Sequence, residues 1–505
     1  MLHTPFSPAF SLGALTAWLT QFPTLPKGIT IDSRQITPGM LFAALPGTKH
    51  DGRRFIAEAI ARGAVGILQE VGDGNGGGKA ETITVPRWDI SGLAPCLGII
   101  ADAVYGQPSW HLPLIGVTGT NGKTSCAHWI AQALQARGTR TGVIGTLGHG
   151  LVEEKAWSPS LNTTPDAASL QSVLAQLRQQ GAQAIVMEVS SIGLEQGRVN
   201  GCRFDTALFT NLTRDHLDYH GTFEAYAAAK TRLFAWPQLR HAVINLDDPM
   251  SGAMITAAHL RKANLWRYSS SGDPDAEMTI TGVDSNVHET RFTVRTPQGN
   301  GEVRTALLGE FNRANVLGVL GVLLAQEVPL SEALQCLSRL TPPPGRLQRL
   351  GREGQPVVVI DYAHTPDALD NVLRTLRATQ TEGQQLFCVF GCGGDCDPGK
   401  RPVMGAIAAK QADRVWITND NPRSESPTLI LKAIEEGLRS VDGASWSVEA
   451  DRAAAIAQAI AAARAGDLVL IAGKGHEPYQ EIAGERHPFL DADAAARALN
   501  GWSRK

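Results

Sequence analysis

Cysteine is scarce: seven thiols are scattered through 505 residues, an odd number without regular spacing. Small secreted scaffolds need a dense, even set, so a disulfide frame is disfavoured and a reducing compartment is expected. Long apolar runs are also missing, and none approaches the roughly 20 residues of a membrane helix. The opening residues, Met-Leu-His-Thr-Pro, lack the basic start of a signal peptide. Charge of one sign is not in excess, with 46 Lys+Arg against 49 Asp+Glu and a formal net charge of −3. That leaves no basic footprint for a nucleic-acid coat or a polybasic membrane binder. The expectation is a soluble, cytoplasmic protein with neither nucleic acid nor membrane as partner.

Apolar residues and glycine are plentiful. At 43% hydrophobic residues the chain can bury several cores, and its 52 glycines follow many short apolar runs, as in α/β proteins. Proline-containing junctions at 105–113 and 340–345 cut the chain into 1–110, 111–341 and 342–505, each of ordinary domain size. The glycine-rich stretch 72–78 reads as a surface loop, and no internal repeat is present. The runs at 114–117, 184–187, 206–209 and 242–245 predict buried strands, as do those at 357–360, 386–390, 415–418 and 468–472. Helix-length segments separate them, the pattern of parallel sheets covered on both faces. An Ala-rich helix is expected over 451–466, from the N-cap Asp451 to Gly466. Sites in such sheets lie beyond the carboxyl ends of the strands.

One such end carries Thr118-Gly-Thr-Asn-Gly-Lys-Thr124, followed by a helical stretch. A strand, a Gly-rich turn ending in Gly-Lys-Thr and a helix aim backbone N–H groups and a helix N-terminus at phosphate. Gly119, Thr120, Asn121 and Gly122 would cradle ATP, Lys123 would reach its outer phosphates, and Thr124 would sit on Mg²⁺. The spacing departs from the strict Walker string, because position 117 is Val117 and the upstream glycine is Gly116. Two further strand ends supply cation ligands: Glu188 after the run at 184–187, and His216 with Asp215 and Asp218 after the run at 206–209. Lys230 falls on a helix pattern, where periodicity alone makes it a surface lysine. Cys388, Cys392 and Cys396 are spaced too widely for a common zinc site, and alternation places Cys388 in the core.

Taken with Asn162-Thr-Thr-Pro165, Glu188-Val-Ser-Ser191, the 211–221 segment, Asn312-x-x-Asn315, Gly345-Arg346, Asp361-Tyr-Ala-His364 and Gly473-Lys-Gly-His-Glu477, these strings make the chain resemble the Mur ligase family. These ATP-dependent amide ligases build the peptidoglycan stem peptide, and Asp420-Asn-Pro-Arg423 is similar to the members that add meso-diaminopimelate as the third residue. The resemblance implies three α/β domains: a small N-terminal UDP-binding domain, a central P-loop ATPase-type parallel-sheet domain and a C-terminal Rossmann-like domain. It implies a monomer with ATP, UDP-MurNAc-L-Ala-D-Glu and meso-diaminopimelate as substrates, and Mg²⁺ as cofactor.

By the same resemblance Ile31, Ser33, Thr48, Lys49 and His50 would contact the UDP-sugar, and Asn162, Thr163, Thr164, Ser190, Gln196 and Arg198 the muramoyl dipeptide. Lys230 matches a lysine carbamylated by CO₂, and would join Thr124, Glu188 and His216 around the metal. Asn312, Arg346 and Asp361 would lie on the nucleotide, and Asp420, Asn421, Pro422, Arg423, Gly473 and Glu477 on the amino acid. Two positions depart from the family pattern. Ile192 stands where many relatives have His, and Cys396 where relatives usually carry an Arg in the diaminopimelate site. A thiol has neither a fixed charge nor parallel donors, so either Arg401, Lys400 or a water takes over that contact or affinity for the amino acid is weakened. The rival readings are a relative with a different acceptor (a lysine-adding homologue, another step of the same family, or a folylpolyglutamate-type ligase) and a non-catalytic nucleotide-binding protein. The Asp420–Arg423 string disfavours the first, and the co-occurrence of Glu188, Lys230 and an amino-acid pocket disfavours the second.

Overall fold

The apolar runs at 114–117, 184–187, 206–209 and 242–245 become the strands Leu114–Thr118, Ala184–Glu188, Thr206–Phe209 and His241–Asn245, every residue of them buried. In this computed structural model, which describes residues 10–47, 50–71, 84–154, 157–285 and 289–503, they lie side by side in a ten-stranded sheet. Its order is Gly148–Leu151, Thr141–Gly145, Ala184–Glu188, Leu114–Thr118, Thr206–Phe209, His241–Asn245, Asn264–Ser269, Met278–Ser285, Thr290–Thr296 and Gly299–Thr305. The pairs from Thr141–Gly145 to Asn264–Ser269 are parallel, and Gly148–Leu151 closes one edge antiparallel. The stretch 264–305 was not anticipated as strand; on Thr290–Thr296 burial alternates strictly, a surface pattern rather than the continuous apolar run of a covered strand.

The chain packs as two compact units, the first comprising Met1–Thr281, Val294–Gly301 and Asn315–Leu337 and the second Gly282–Thr293, Glu302–Ala314 and Ser338–Lys505. In the first, a four-stranded parallel sheet, Gly28–Thr30, Met40–Ala44, Gly66–Glu70 and Arg87–Ile90, precedes the helix Leu93–Val104. That helix packs so closely on the 197–201 turn that a Cβ on Gly98 would fall on the Asn200 carbonyl. Ala167 and Ala168 share one buried cluster with Leu93 and Leu97, so the N-terminal segment and the start of the helix Ala167–Gln179 have a common core. No helix among the described residues is long and apolar enough to cross a membrane.

In the second unit six strands run in the order Gln348–Leu350, Val357–Asp361, Leu468–Ala472, Leu386–Phe390, Arg414–Ile417 and Trp446–Val448, all parallel except the first. The Ala-rich helix is Arg452–Ala462, capped by Asp451, and it ends before Gly466. Ala463 turns extended, and Asp467 accepts from the Arg464 N–H at 2.7 Å, which offers the backbone a turn in place of another helical bond. Beneath this helix Arg452 and Asp491 form a bidentate pair at 2.7 and 2.8 Å, both side chains fully buried. Asp491→Ala should lower the unit's stability by about 3–5 kcal/mol by stranding a buried guanidinium. Urea unfolding checks this, and a loss near zero would mean the carbonyls of Ala472 and Asn419, which also accept from Arg452, suffice.

Candidate active site

The 118–124 loop leaves its strand tied to the neighbouring strand ends. Thr118 donates to the Val189 carbonyl at 2.7 Å, while the Thr120 N–H reaches the Asn211 carbonyl and the Asn121 N–H reaches Asn211 Oδ1. A Cβ on Gly119 would fall on Thr210 Oγ1, so this position demands glycine. Gly122, at φ +84°, caps the helix Lys123–Ala136 and turns its unpaired N-terminal amides into the loop. Lys123 Nζ bends back over the loop, 2.9 Å from the Gly119 carbonyl and 2.8 Å from that of Thr120. Gly116 lies within its strand instead, where a Cβ would press on Phe204, so it is a packing residue and not part of the phosphate cradle.

Glu188 meets the loop from the adjacent strand. It is 1% exposed and accepts the Thr124 hydroxyl on Oε2 at 2.9 Å. Thr146, which sequence reasoning passed over, gives its N–H to Oε1 at 2.8 Å and its hydroxyl to Oε2 at 3.2 Å. A carboxylate and a hydroxyl are hard oxygen donors, and Mg²⁺ usually takes one or two carboxylates together with waters and substrate phosphates, so this pair fits it. His216 stands apart from them, with Nε2 3.4 Å from Asp215 Oδ2, and no three His, Cys, Asp or Glu groups gather as a cation cage among the described residues. Burial, with the charges of Lys123 and Lys230 and against that of Asp215, holds His216 below the ordinary histidine range.

Lys230 is not the surface lysine its periodicity suggests. On the helix Phe223–Phe234 it is 1% exposed, donates to the Gly119 carbonyl at 2.7 Å, and lies 4.6 Å from the centre of the Tyr226 ring. Tyr226 in turn bonds Thr120 at 2.9 Å. Burial, reinforced by the Lys123 charge, pushes the Lys230 ammonium well below the usual lysine range.

The residues expected at the muramoyl dipeptide converge on the same strand end. Thr163 Oγ1 is 3.1 Å from Thr146 Oγ1. Thr164 donates to the Glu188 carbonyl at 3.0 Å and accepts from the Ser190 N–H at 3.0 Å. Ser190 caps the short helix Ser191–Glu195, and Arg198 bridges the Thr164 carbonyl and Gln196 Oε1, both at 2.9 Å. Asn162 is exposed beside them. At Ile192 the family imidazole is absent, yet His220 Nε2 reaches Ser191 in the same turn at 3.0 Å, from a segment 29 residues away. In the N-terminal sheet, Ser33 is buried and 3.2 Å from Glu58, and Ile31 and His50 are exposed. Thr48, Lys49 and the 72–78 loop lie outside the described residues.

In the second unit Asp361 ends its strand and accepts the N–H groups of Leu347 and Ala363 at 2.8 and 2.9 Å. Burial raises its carboxyl against the opposing Arg346 charge. Arg346 lies over the Tyr362 ring at 4.6 Å, and Asn312 is buried with its amide on the Leu308 carbonyl. Among the residues expected at the amino acid, Asn421 donates to Glu477 at 2.8 Å, and the fully buried Lys474 holds both, 3.0 Å from each. Burial pushes the Glu477 carboxyl up, but Lys474 and Asn421 outweigh it, leaving a carboxylate below its usual range. Asp420 is buried behind them, and a Cβ on Gly473, at φ +112°, would come within 2.5 Å of its Oδ2.

Arg423, at φ +51°, donates to the Gly394 carbonyl at 2.5 Å and to Cys396 Sγ at 3.1 Å. Pro422 places its carbonyl against Gly394, where a Cβ would strike it. Of the groups considered as replacements at Cys396, Arg401 turns inward to Glu425 at 2.8 Å and the Gly393 carbonyl at 3.2 Å. Lys400 donates to the His364 carbonyl at 3.0 Å. Cys396 is exposed, whereas Cys388 and Cys392 are buried, and burial pushes the Cys392 thiol up to about 12.

The descriptions "Mur ligase family, catalytic domain", "Mur ligase middle domain" and "Mur ligase, glutamate ligase domain" match residues 26–105, 117–323 and 345–475. The UDP-N-acetylmuramoyl-L-alanyl-D-glutamate--2,6-diaminopimelate ligase of Ectopseudomonas mendocina (strain ymp) is 49% identical over 482 residues, covering 95% of this chain and 96% of its own. A solved ligase of the same name is 38% identical with a TM-score of 0.68, covering 94% of each chain. The MurF ligase of Thermotoga maritima, solved in complex with ADP, shares the fold at 16% identity and a TM-score of 0.64, over 94% of this chain and 97% of its own. Matched along nearly its whole length to these descriptions and to so similar a relative, the chain belongs to the Mur ligase family.

Proposed function

We propose that this chain is an ATP-dependent ligase that joins meso-diaminopimelate to the D-Glu carboxylate of UDP-N-acetylmuramoyl-L-Ala-D-Glu, a cytoplasmic step of peptidoglycan precursor synthesis carried out by a monomer. The observation that carries it is the meeting of three elements at one strand edge: the 118–124 loop, Glu188 through Thr124, and Lys230 through Gly119. A division into 1–110, 111–341 and 342–505 belongs to the reading, supported by the gaps between the three family matches.

A carboxylate is a poor electrophile, so ATP first transfers its γ-phosphoryl group to it, giving an acyl phosphate and ADP. An amino group of diaminopimelate then attacks the acyl carbon, and the tetrahedral intermediate expels phosphate. Donor and acceptor are both anionic, so the chain's task is to align them and neutralise charge. Lys123 and the amides of Gly119–Thr124 bind the phosphates. Thr124 and Glu188 would hold Mg²⁺, which would supply charge neutralisation at the phosphates, and Lys230 meets the same loop at Gly119. The neutral amine of Lys230 adds to CO₂, forming a carbamate and releasing one proton, which converts a neutral position into an anionic one. Asn162, Thr163, Thr164, Ser190, Gln196 and Arg198 hold the dipeptide; Ile31, Ser33, Thr48, Lys49 and His50 hold the UDP-sugar.

Glu477, kept ionised by Lys474, suits an ammonium of the incoming amino acid, and the Arg423 guanidinium suits the second carboxylate that lysine lacks. Asp420, Asn421, Pro422 and Gly473 shape that pocket. Phosphate release with ATP, Mg²⁺ and the UDP-dipeptide is therefore expected with meso-diaminopimelate and at least about 10-fold less with L-lysine, since Arg423 would be left without the carboxylate it suits. Equal turnover with lysine would move the acceptor assignment away from Arg423, with Cys396 as the position to examine. No amino-acid dependence at all would favour a nucleotide-binding protein.

A further inference from the structure

We infer that Thr146 is a positioning residue for Glu188, and that through it the acceptor loop and the phosphate loop bind their ligands cooperatively; the acceptor half of this rests on the function proposed above. Thr146 follows directly on the strand Thr141–Gly145. Its backbone N–H and its hydroxyl both end on the Glu188 carboxylate, at 2.8 and 3.2 Å. A Cβ on the preceding Gly145 would fall on Glu188 Oε1, so the strand end is shaped to let the carboxylate lie across it.

A carboxylate can only accept, which fixes the direction of the whole chain of hydroxyls. Thr124 and Thr146 donate to Oε2, so the Thr146 oxygen is left to accept from Thr163 at 3.1 Å. Thr163 stands in the 162–165 segment expected at the dipeptide, and its neighbour Thr164 grips the Glu188 backbone carbonyl at 3.0 Å. Glu188 is thereby bound on one side by the phosphate loop and on the other by the acceptor loop. Thr124 and Glu188 would hold a divalent cation, and the Thr146 N–H and hydroxyl on the Glu188 carboxylate keep that carboxylate where it lies. An acceptor that orders Thr163 orders Thr146, and hence Glu188, before the cation arrives. Outer partners of a ligating carboxylate typically change metal affinity about 10–100-fold, and coupling between two sites is reciprocal.

The test titrates Mg²⁺ into the full chain with a non-hydrolysable ATP analogue, with and without the UDP-dipeptide, for wild type, T146V, T146S, T163V and T146V/T163V. T146V keeps the shape and the N–H but loses the hydroxyl. It should weaken Mg²⁺ about 10-fold without acceptor and abolish most of the mutual tightening seen in wild type. T146S should restore both. T163V should lose the tightening even at UDP-dipeptide concentrations that saturate the variant, and the double variant should add nothing to T146V. Wild-type Mg²⁺ affinity in T146V, or T146S failing as T146V does, would overturn the positioning role. Tightening that survives in T163V would overturn the coupling. Absence of UDP-dipeptide binding to wild type would instead remove the proposed acceptor and the coupling with it, while the Mg²⁺ arm still decides the role of Thr146.

Discussion

Lys123→Ala is expected to cut phosphate release by about 1,000-fold or more, the loss seen when a cation aimed at a transferring phosphoryl group is removed. Lys123 begins the helix whose N-terminus faces the loop, and its ammonium bridges the Gly119 and Thr120 carbonyls across the cradle. Alanine deletes the charge and leaves the turn intact, because Gly119 and Gly122 set its path and Asn211 ties it down. Binding of the UDP-dipeptide should therefore be little changed while turnover collapses. Arginine should not rescue it, since a planar fork cannot replace a compact ammonium at that point. Near-normal turnover in Lys123→Ala would refute the assignment of this loop to ATP.

Lys230→Ala should be almost as damaging, with a difference that identifies the chemistry. If a carbamate supplies negative charge here, a small carboxylate such as acetate or formate should restore part of the activity to the alanine variant; no rescue would leave the role of Lys230 open. The buried amine also has a thermodynamic signature. Its folded-state pKa lies well below the ordinary 10.5, so the unfolded chain binds a proton that the folded chain does not. Stability contributed by this group therefore rises with pH between the depressed folded value and 10.5, by up to about 1.4 kcal/mol per pH unit for one proton. In CO₂-depleted buffer Lys230→Met should remove that slope, read from urea unfolding at several pH values. An unchanged slope would mean that Lys230 folds in as an ammonium.

The parts of the site readable along the chain are those in which neighbours in sequence do the work. A strand, a Gly-rich turn and a helix start announce the 118–124 loop, because backbone amides aimed at phosphate require glycine and a free helix N-terminus. Glu188 was legible because a carboxylate directly after a covered strand has few structural reasons to be there. Thr146 carries no such mark, being a single threonine after a strand rich in glycine. Lys474 was legible only as a letter in a string, although its buried ammonium is what keeps Glu477 charged and Asn421 oriented. Cys396 shows the same limit: the family resemblance marks it as standing where an arginine is expected, but only the fold shows Arg423 leaning on the thiol while Arg401 faces Glu425.

By itself the sequence determined the α/β class, the covered parallel strands, the phosphate loop and the acidic strand ends, since each follows from local periodicity, glycine and the chemistry of adjacent residues. Tertiary structure alone decided that Lys230 is buried against a carbonyl 111 residues away. It likewise decided that Ala167 and Ala168 join the N-terminal core, that the 451 helix stops at Ala462, and that Thr146 links two loops through one carboxylate. The physical reason is the same in each case: burial and hydrogen-bond partnership depend on which segments meet across the sheets, and no local pattern of residues encodes that meeting.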